Sequence, residues 1–158
     1  MKKIQLGGHR YKNNPVKGYA LVDDKDYKWL SQWEWYLTSG GYAARKSING
    51  IIYMHRLILK TPKKLYSDHI NGDRLDNQRK NLRICTNQQN TSNQKKKKGS
   101  STYKGVYWNK ECKKWVAQIT KNYKIINIGL FKKEHHAAMC YDLNAKAVFG
   151  EYAKLNFN

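Results

Sequence analysis

Apolar positions in this chain fall into short runs separated by polar turn formers. Tyr19 to Val22 is one such run, and the Asp23-Asp24 pair after it can cap a helical turn through Leu30. Trp29, Leu30, Trp33 and Trp35 supply bulky core material. Gly41 to Ser47, followed by Asn49-Gly50 between Ile48 and Ile51, predicts a hairpin, because Asn-Gly suits the two positive φ angles of a type I′ turn. Met54 to Leu59 reads as a short helix stopped by Pro62. Residues 1–60 are therefore expected to form a small α+β unit.

Residues 61–94 carry two further strand signals, ending at His69 and running from Asn81 to Cys85, around the turn-forming stretch Asn71 to Asn77. Thr86 is a good N-cap for a helix that begins at Asn87, giving a ββα order. Lys95 to Ser101 is the clearest linker, with four lysines followed by Gly and Ser. Residues 102–158 predict three strands (Tyr103 to Trp108, Trp115 to Thr120, Ile125 to Phe131) and a helix from about Lys133 to Phe149. The helical stripe Ala137, Ala138, Tyr141, Ala145 and Val148 has small residues that allow close approach to a sheet, and Gly150 sits where a C-cap glycine belongs. The fold class expected is α+β in three parts.

Charge adds a partner to this picture. The 158 residues carry 31 Lys+Arg against 11 Asp+Glu, a net charge of +20 that calls for a polyanion. From Asn77 to Lys110 there is no acidic residue, and Lys95, Lys96, Lys97 and Lys98 can clamp a phosphate backbone or remain a solvated tether. Three cysteines, none in a C-x-x-C pair, do not make a disulfide framework. The opening MKKIQLGGHRYK lacks an apolar signal region, and no segment approaches a membrane span, so a soluble, intracellular protein is expected.

The densest chemistry lies between Asp68 and Asn90. Adjacent strand residues point to opposite faces, so Asp68 can turn to a metal while His69 turns to a water. A neutral imidazole with a pKa near ~6.5 can take a proton from that water. An Asp carboxylate and an Asn carbonyl are hard oxygen donors that favour Mg²⁺ or Mn²⁺ over Zn²⁺. An EF-hand is excluded because the glycine comes too early and Arg79 stands where the bidentate Glu is needed. Cys85, Cys112, Cys140, His135 and His136 lack zinc-ligand spacing. The bland alternative is a polar turn in which Asp68 and His69 bond backbone.

MHRLIL followed by DHINGDRLDNQRKNLRICTNQQN resembles the HNH endonuclease family, in the subgroup common in phage and intron-encoded homing nucleases. The resemblance implies a ββα-metal core in which His69 is the general base, Asp68 and Asn90 hold one divalent ion, and Asn81 braces the loop between strands. His55 matches a recurrent histidine of that family, where a structural hydrogen bond is expected. YKGVYWNKECKKWVAQI, IGLF, AAMCYDLNAKAVFG and LNF are similar to the AP2 DNA-binding domain. That resemblance implies a sheet that reads double-stranded DNA. The candidate contacts are Lys104, Tyr107, Asn109, Lys114, Gln118, Thr120, Lys124 and Asn127, with the lysine tether. Plant members carry several arginines on this face. Their scarcity here points to weaker or A·T-leaning recognition, since arginine is the strongest guanine reader.

Taken together, these resemblances imply a site-specific endonuclease of the cytoplasm of a bacterial or phage-infected cell. It needs no membrane and no protein partner, although cutting both strands would call for a second core, as in a dimer. The competing expectation is a DNA-binding regulator that keeps a relic HNH fold without cutting. An RNA-binding role lacks an RNP-like string.

Overall fold

A computed structural model describes residues 1–7, 15–96 and 98–157. Lys97 of the expected tether lies outside the described residues. The chain is α+β and divides into two compact units, Met1–Thr86 and Asn87–Asn158. This division falls ahead of the segment 95–101 read from sequence as a linker.

In the first unit a five-stranded sheet has the order β2-β1-β3-β4-β5, from strands β1 (Lys2–Gly7), β2 (Gly18–Val22), β3 (Trp35–Leu37), β4 (Ala43–Ser47) and β5 (Gly50–Tyr53). Strands β1 and β3 run parallel and the other neighbours antiparallel. The two-residue strand period turns Ile4 and Leu6 inward, and they join Ala20, Val22, Leu30, Trp35, Met54, Ile58 and Leu82 in one core. Helices α1 (Asp24–Leu30) and α2 (Met54–Leu59) contribute Leu30, Met54 and Ile58 to it.

Three local expectations are corrected. Asp23 precedes α1 but makes no side-chain cap; its Oδ2 instead accepts the backbone N–H of Arg79 at 2.9 Å. Trp33 is 48% exposed rather than core, with the Arg45 guanidinium 4.1 Å from its ring centre. The β4–β5 hairpin pairs Ser47 with Gly50, so its loop is Ile48-Asn49 and Gly50, at φ +115°, opens β5. Glycine's freedom is spent on the residue after the loop rather than within a type I′ turn.

After α2, Lys60 adopts a left-handed φ of 51° and ends the helix. Arg56 then ties the following segment down, donating to the carbonyls of Leu65 (3.0 Å) and Pro62 (3.1 Å). The chain is thereby led into β6 (Tyr66–His69), which pairs antiparallel with β7 (Leu82–Cys85), Asp68 opposite Arg83 and His69 opposite Leu82.

The second unit begins with α3 (Asn87–Asn93) and contains an antiparallel sheet β10-β9-β8, from β8 (Val106–Asn109), β9 (Lys114–Lys121) and β10 (Lys124–Phe131), with α4 (Glu134–Phe149). Ala137, Ala138, Tyr141 and Ala145 of α4 pack on Val106, Ala117 and Ile119. The first strand starts later than Tyr103 because Gly105 turns there at φ +74°, and a Cβ at Gly105 would lie 2.0 Å from the Tyr141 ring. Buried Asp142 accepts the backbone N–H groups of Asn156 and Phe157, and Asn156 in turn bonds both backbone groups of Lys104. The tail and the entry to β8 are held by that one carboxylate.

Candidate active site

The Asp68–His69 pair ends β6, and the loop from Ile70 to Asn81 returns the chain to β7. A nest of Asx turns builds this loop: Asn71 Oδ1 accepts from Asp73 N (2.7 Å), and Asp73 Oδ1 from Leu75 N (3.0 Å). Buried Asn81 spans it, accepting from Asn71 N at 3.0 Å and donating to the Asp76 carbonyl at 2.8 Å. The loop is also stitched to β2, where Leu21 N donates to the Leu75 carbonyl and Asn77 N donates to the Leu21 carbonyl, each at 2.8 Å. A two-pronged ion pair fixes its far end, Arg79 Nε to Asp26 Oδ2 (2.7 Å) and Nη2 to Oδ1 (2.9 Å). Arg79, and then Trp29 through its indole N–H, hold the Asp26 carboxyl below the ordinary range, against the upward push of burial.

This stitching sets the surroundings of His69. Its Nε2 lies 3.4 Å from Asn77 Oδ1. The ring stands edge-on to His55, with centroids 4.9 Å apart, and 6.1 Å from Tyr42. Burial pulls the His69 pKa down from 6.5, while Asn77 and then Asp68, Asp73 and Asp76 pull it up. The net shift is downward, so the imidazole is neutral at neutral pH. His55 is more extreme, pushed to about 3 by burial first, then by His69 and Arg56. Its Nδ1 is buried with no hydrogen-bond partner among the described residues, so the structural bond expected of it is not made at that atom.

Asp68 points to the opposite side. Its Oδ2 accepts from Arg83 Nε at 3.0 Å and Nη2 at 2.8 Å. Both side chains are buried, at 8% and 10% exposure. Asn90, the other expected ligand, lies half-buried on α3 in the second unit. Among the described residues no three His, Cys, Asp or Glu side chains cluster for a metal. A carboxylate oxygen such as those of Asp68 is a hard donor, of the kind that fits a divalent ion which keeps most of its waters.

The C-terminal candidates divide by register. Tyr107 opposes Val116, Asn109 opposes Lys114, and Gln118 opposes Asn127. With Thr120 they occupy the sheet face away from α4, because cross-strand partners share a face and alternate residues switch it. The Asn109 amide oxygen is engaged by the N–H groups of Glu111 and Cys112. Lys124 closes the β9–β10 turn opposite Lys121. Lys95 and Lys98 are exposed and Lys96 half-buried. Lys104 turns inward, its Nζ donating to the Ser92 carbonyl, and burial lowers its pKa to about 8.

Sequence reading missed three side chains. Asn77 passed as a turn former and Arg83 as one cation in a basic block; only strand register and loop docking reveal their partners. Gln88 fastens α3 to the β9–β10 hairpin, accepting from Asn122 N (2.9 Å) and donating to the Thr120 carbonyl (3.3 Å).

A neutral imidazole beside an arginine-paired carboxylate, on a chain of charge +20, places a candidate proton acceptor on a protein suited to a polyanionic partner. The sequence model of the HNH endonuclease family matches residues 53–92. Over 144 residues the chain is 36% identical to a protein of Acanthamoeba polyphaga mimivirus named "Uncharacterized HNH endonuclease", covering 87% of this chain and 74% of that one. No solved structure matches. The chain belongs to the HNH endonuclease family, a family of nucleases that implies DNA as substrate and generally a divalent metal. Among the described residues no helix is long and apolar enough to cross a membrane.

Proposed function

We propose that the protein is a site-specific DNA endonuclease of homing type, using His69 as general base and one Mg²⁺ or Mn²⁺ ion. The observation that carries this reading is the division of labour on β6, where Asp68 meets Arg83 on one side and His69 meets Asn77 and His55 on the other. In the tautomer with hydrogen on Nε2, His69 donates to Asn77, and the neutral imidazole is the group proposed to take a proton from water. Asn77, fixed by β2, holds the ring angle, and the buried surroundings keep the imidazole unprotonated. Asn81 keeps the loop closed so that β6 and β7 deliver the pair in register. Asp68 is read as a metal ligand, and Asn90 as a ligand that the family resemblance implies. A bound divalent ion would supply charge stabilisation at the leaving 3′ oxygen.

The C-terminal unit is read as an AP2-like DNA-binding module. Its face away from α4, with exposed Tyr107, Thr120 and Asn127 and half-buried Gln118, provides aromatic and amide groups suited to base edges, and exposed Lys114 and Lys124 provide phosphate contacts. Lys104 supports the fold rather than the face. Cleavage of a randomised DNA library tests site choice: recovered products should share one site, with A·T-rich positions within it. Degradation without a shared site would overturn the homing assignment. The Arg83 bond to Asp68 favours one second reading, a regulator that binds without cutting, because it engages Oδ2 of the carboxylate a metal would need.

A further inference from the structure

We infer that Arg83 is a built-in counter-cation of the metal-ligand carboxylate: it holds Asp68 in place without metal and keeps metal affinity low. This rests on the reading of Asp68 as a ligand. Strand register places the two residues directly opposite each other, and two donors of Arg83 converge on a single oxygen, Oδ2. Neither side chain exceeds 10% exposure. A guanidinium cannot shed its proton in a protein, so its positive charge is permanent. A buried carboxylate left without a partner is strongly destabilising. The site therefore folds with its negative charge already compensated.

The same arrangement costs metal affinity. A divalent ion arriving at Asp68 shares the carboxylate with a fixed cation a few ångströms away, in surroundings where charge repulsion is weakly screened. A purely structural ion pair makes a different prediction, since its removal lowers stability and leaves metal affinity where it was.

The test uses the full chain without DNA, with Mn²⁺ as probe. Bound Mn²⁺ is followed by loss of the free-ion paramagnetic resonance signal, and thermal midpoints are read with and without the ion. Arg83→Met removes charge and donors together. Arg83→Gln keeps an amide donor for Oδ2 and guards against failure to fold. Both variants should bind Mn²⁺ at concentrations lower by on the order of tenfold, and Mn²⁺ should raise their thermal midpoints more than that of the wild type. Adding Asp68→Asn to either should erase the gain. Equal Mn²⁺ affinity in wild type and both variants, still dependent on Asp68, would overturn the counter-cation role and leave the ligand assignment standing. Mn²⁺ binding indifferent to Asp68 in every form would remove the ligand assignment itself.

Discussion

Asn77 touches His69 through its side chain and the sheet through its backbone. Its Oδ1 lies 3.4 Å from His69 Nε2, and its N–H donates to the Leu21 carbonyl on the edge of the first-unit sheet. Asn77→Ala is expected to lower the cleavage rate by about 100-fold, since a small misplacement of a reacting group costs that much. DNA affinity should be unchanged in a gel-shift titration. A rate within threefold of wild type would show that His69 is oriented by other contacts.

His55 sets an acid limit on stability. Its native pKa of about 3 lies below its ordinary 6.5, so between these values the unfolded chain binds a proton that the native chain does not. Stability then falls as pH falls through that window, by at most about 1.4 kcal/mol per pH unit. His55→Gln should flatten the slope of unfolding free energy between pH 6.5 and 4.5, read by urea denaturation. An unchanged slope would assign the acid sensitivity elsewhere.

Gly105 has no room for a side chain, because any Cβ would meet the Tyr141 ring and φ is +74°. Gly105→Ala is expected to destabilise the C-terminal unit by on the order of 3 kcal/mol, combining overpacking with left-handed strain. Calorimetry would register this as a lowered unfolding transition. An unshifted transition would contradict the close packing of α4 on the sheet.

Tyr123 is 92% exposed at the tip of the β9–β10 hairpin, where Asn122 (φ 49°) and Tyr123 (φ 62°) are both left-handed. Bulky residues rarely adopt this conformation. Tyr123→Gly should stabilise the unit by about 1 kcal/mol if strain is the main effect. Loss of stability on the same denaturation curve would mean that the added backbone freedom of glycine in the unfolded chain outweighs the strain relieved.

Much of the β6–β7 hairpin was legible because its parts are local. DHINGD through Asn81 is a short hairpin with a turn-rich loop, and the residues that close the loop lie within it. Asn77 and Arg83 were not legible as site residues for a physical reason: one is placed by β2, more than fifty positions upstream, the other by strand register. The β4–β5 loop slipped by one residue because Asn-Gly fits two turn geometries, and only pairing of Ser47 with Gly50 separates them. Trp33 was read as core from its size, but the β3 core position went to Trp35, whose Nε1 donates to the Leu30 carbonyl at 2.8 Å. On the C-terminal sheet the alternation of Tyr107, Gln118 and Thr120 was readable, whereas the inward turn of Lys104 depends on the Ser92 carbonyl.

The central claim is that His69 is the base of a metal-dependent DNA cut. The most direct measurement is conversion of supercoiled plasmid carrying a selected site, with Mg²⁺ or Mn²⁺ and with EDTA, for wild type and His69→Ala, with binding followed on the same DNA. Metal-dependent nicking by the wild type is expected, with linear product only if two cores act together. Loss of cutting in His69→Ala with binding retained is also expected. Specific binding without any cutting by the wild type, or cutting that survives in His69→Ala, would contradict the claim.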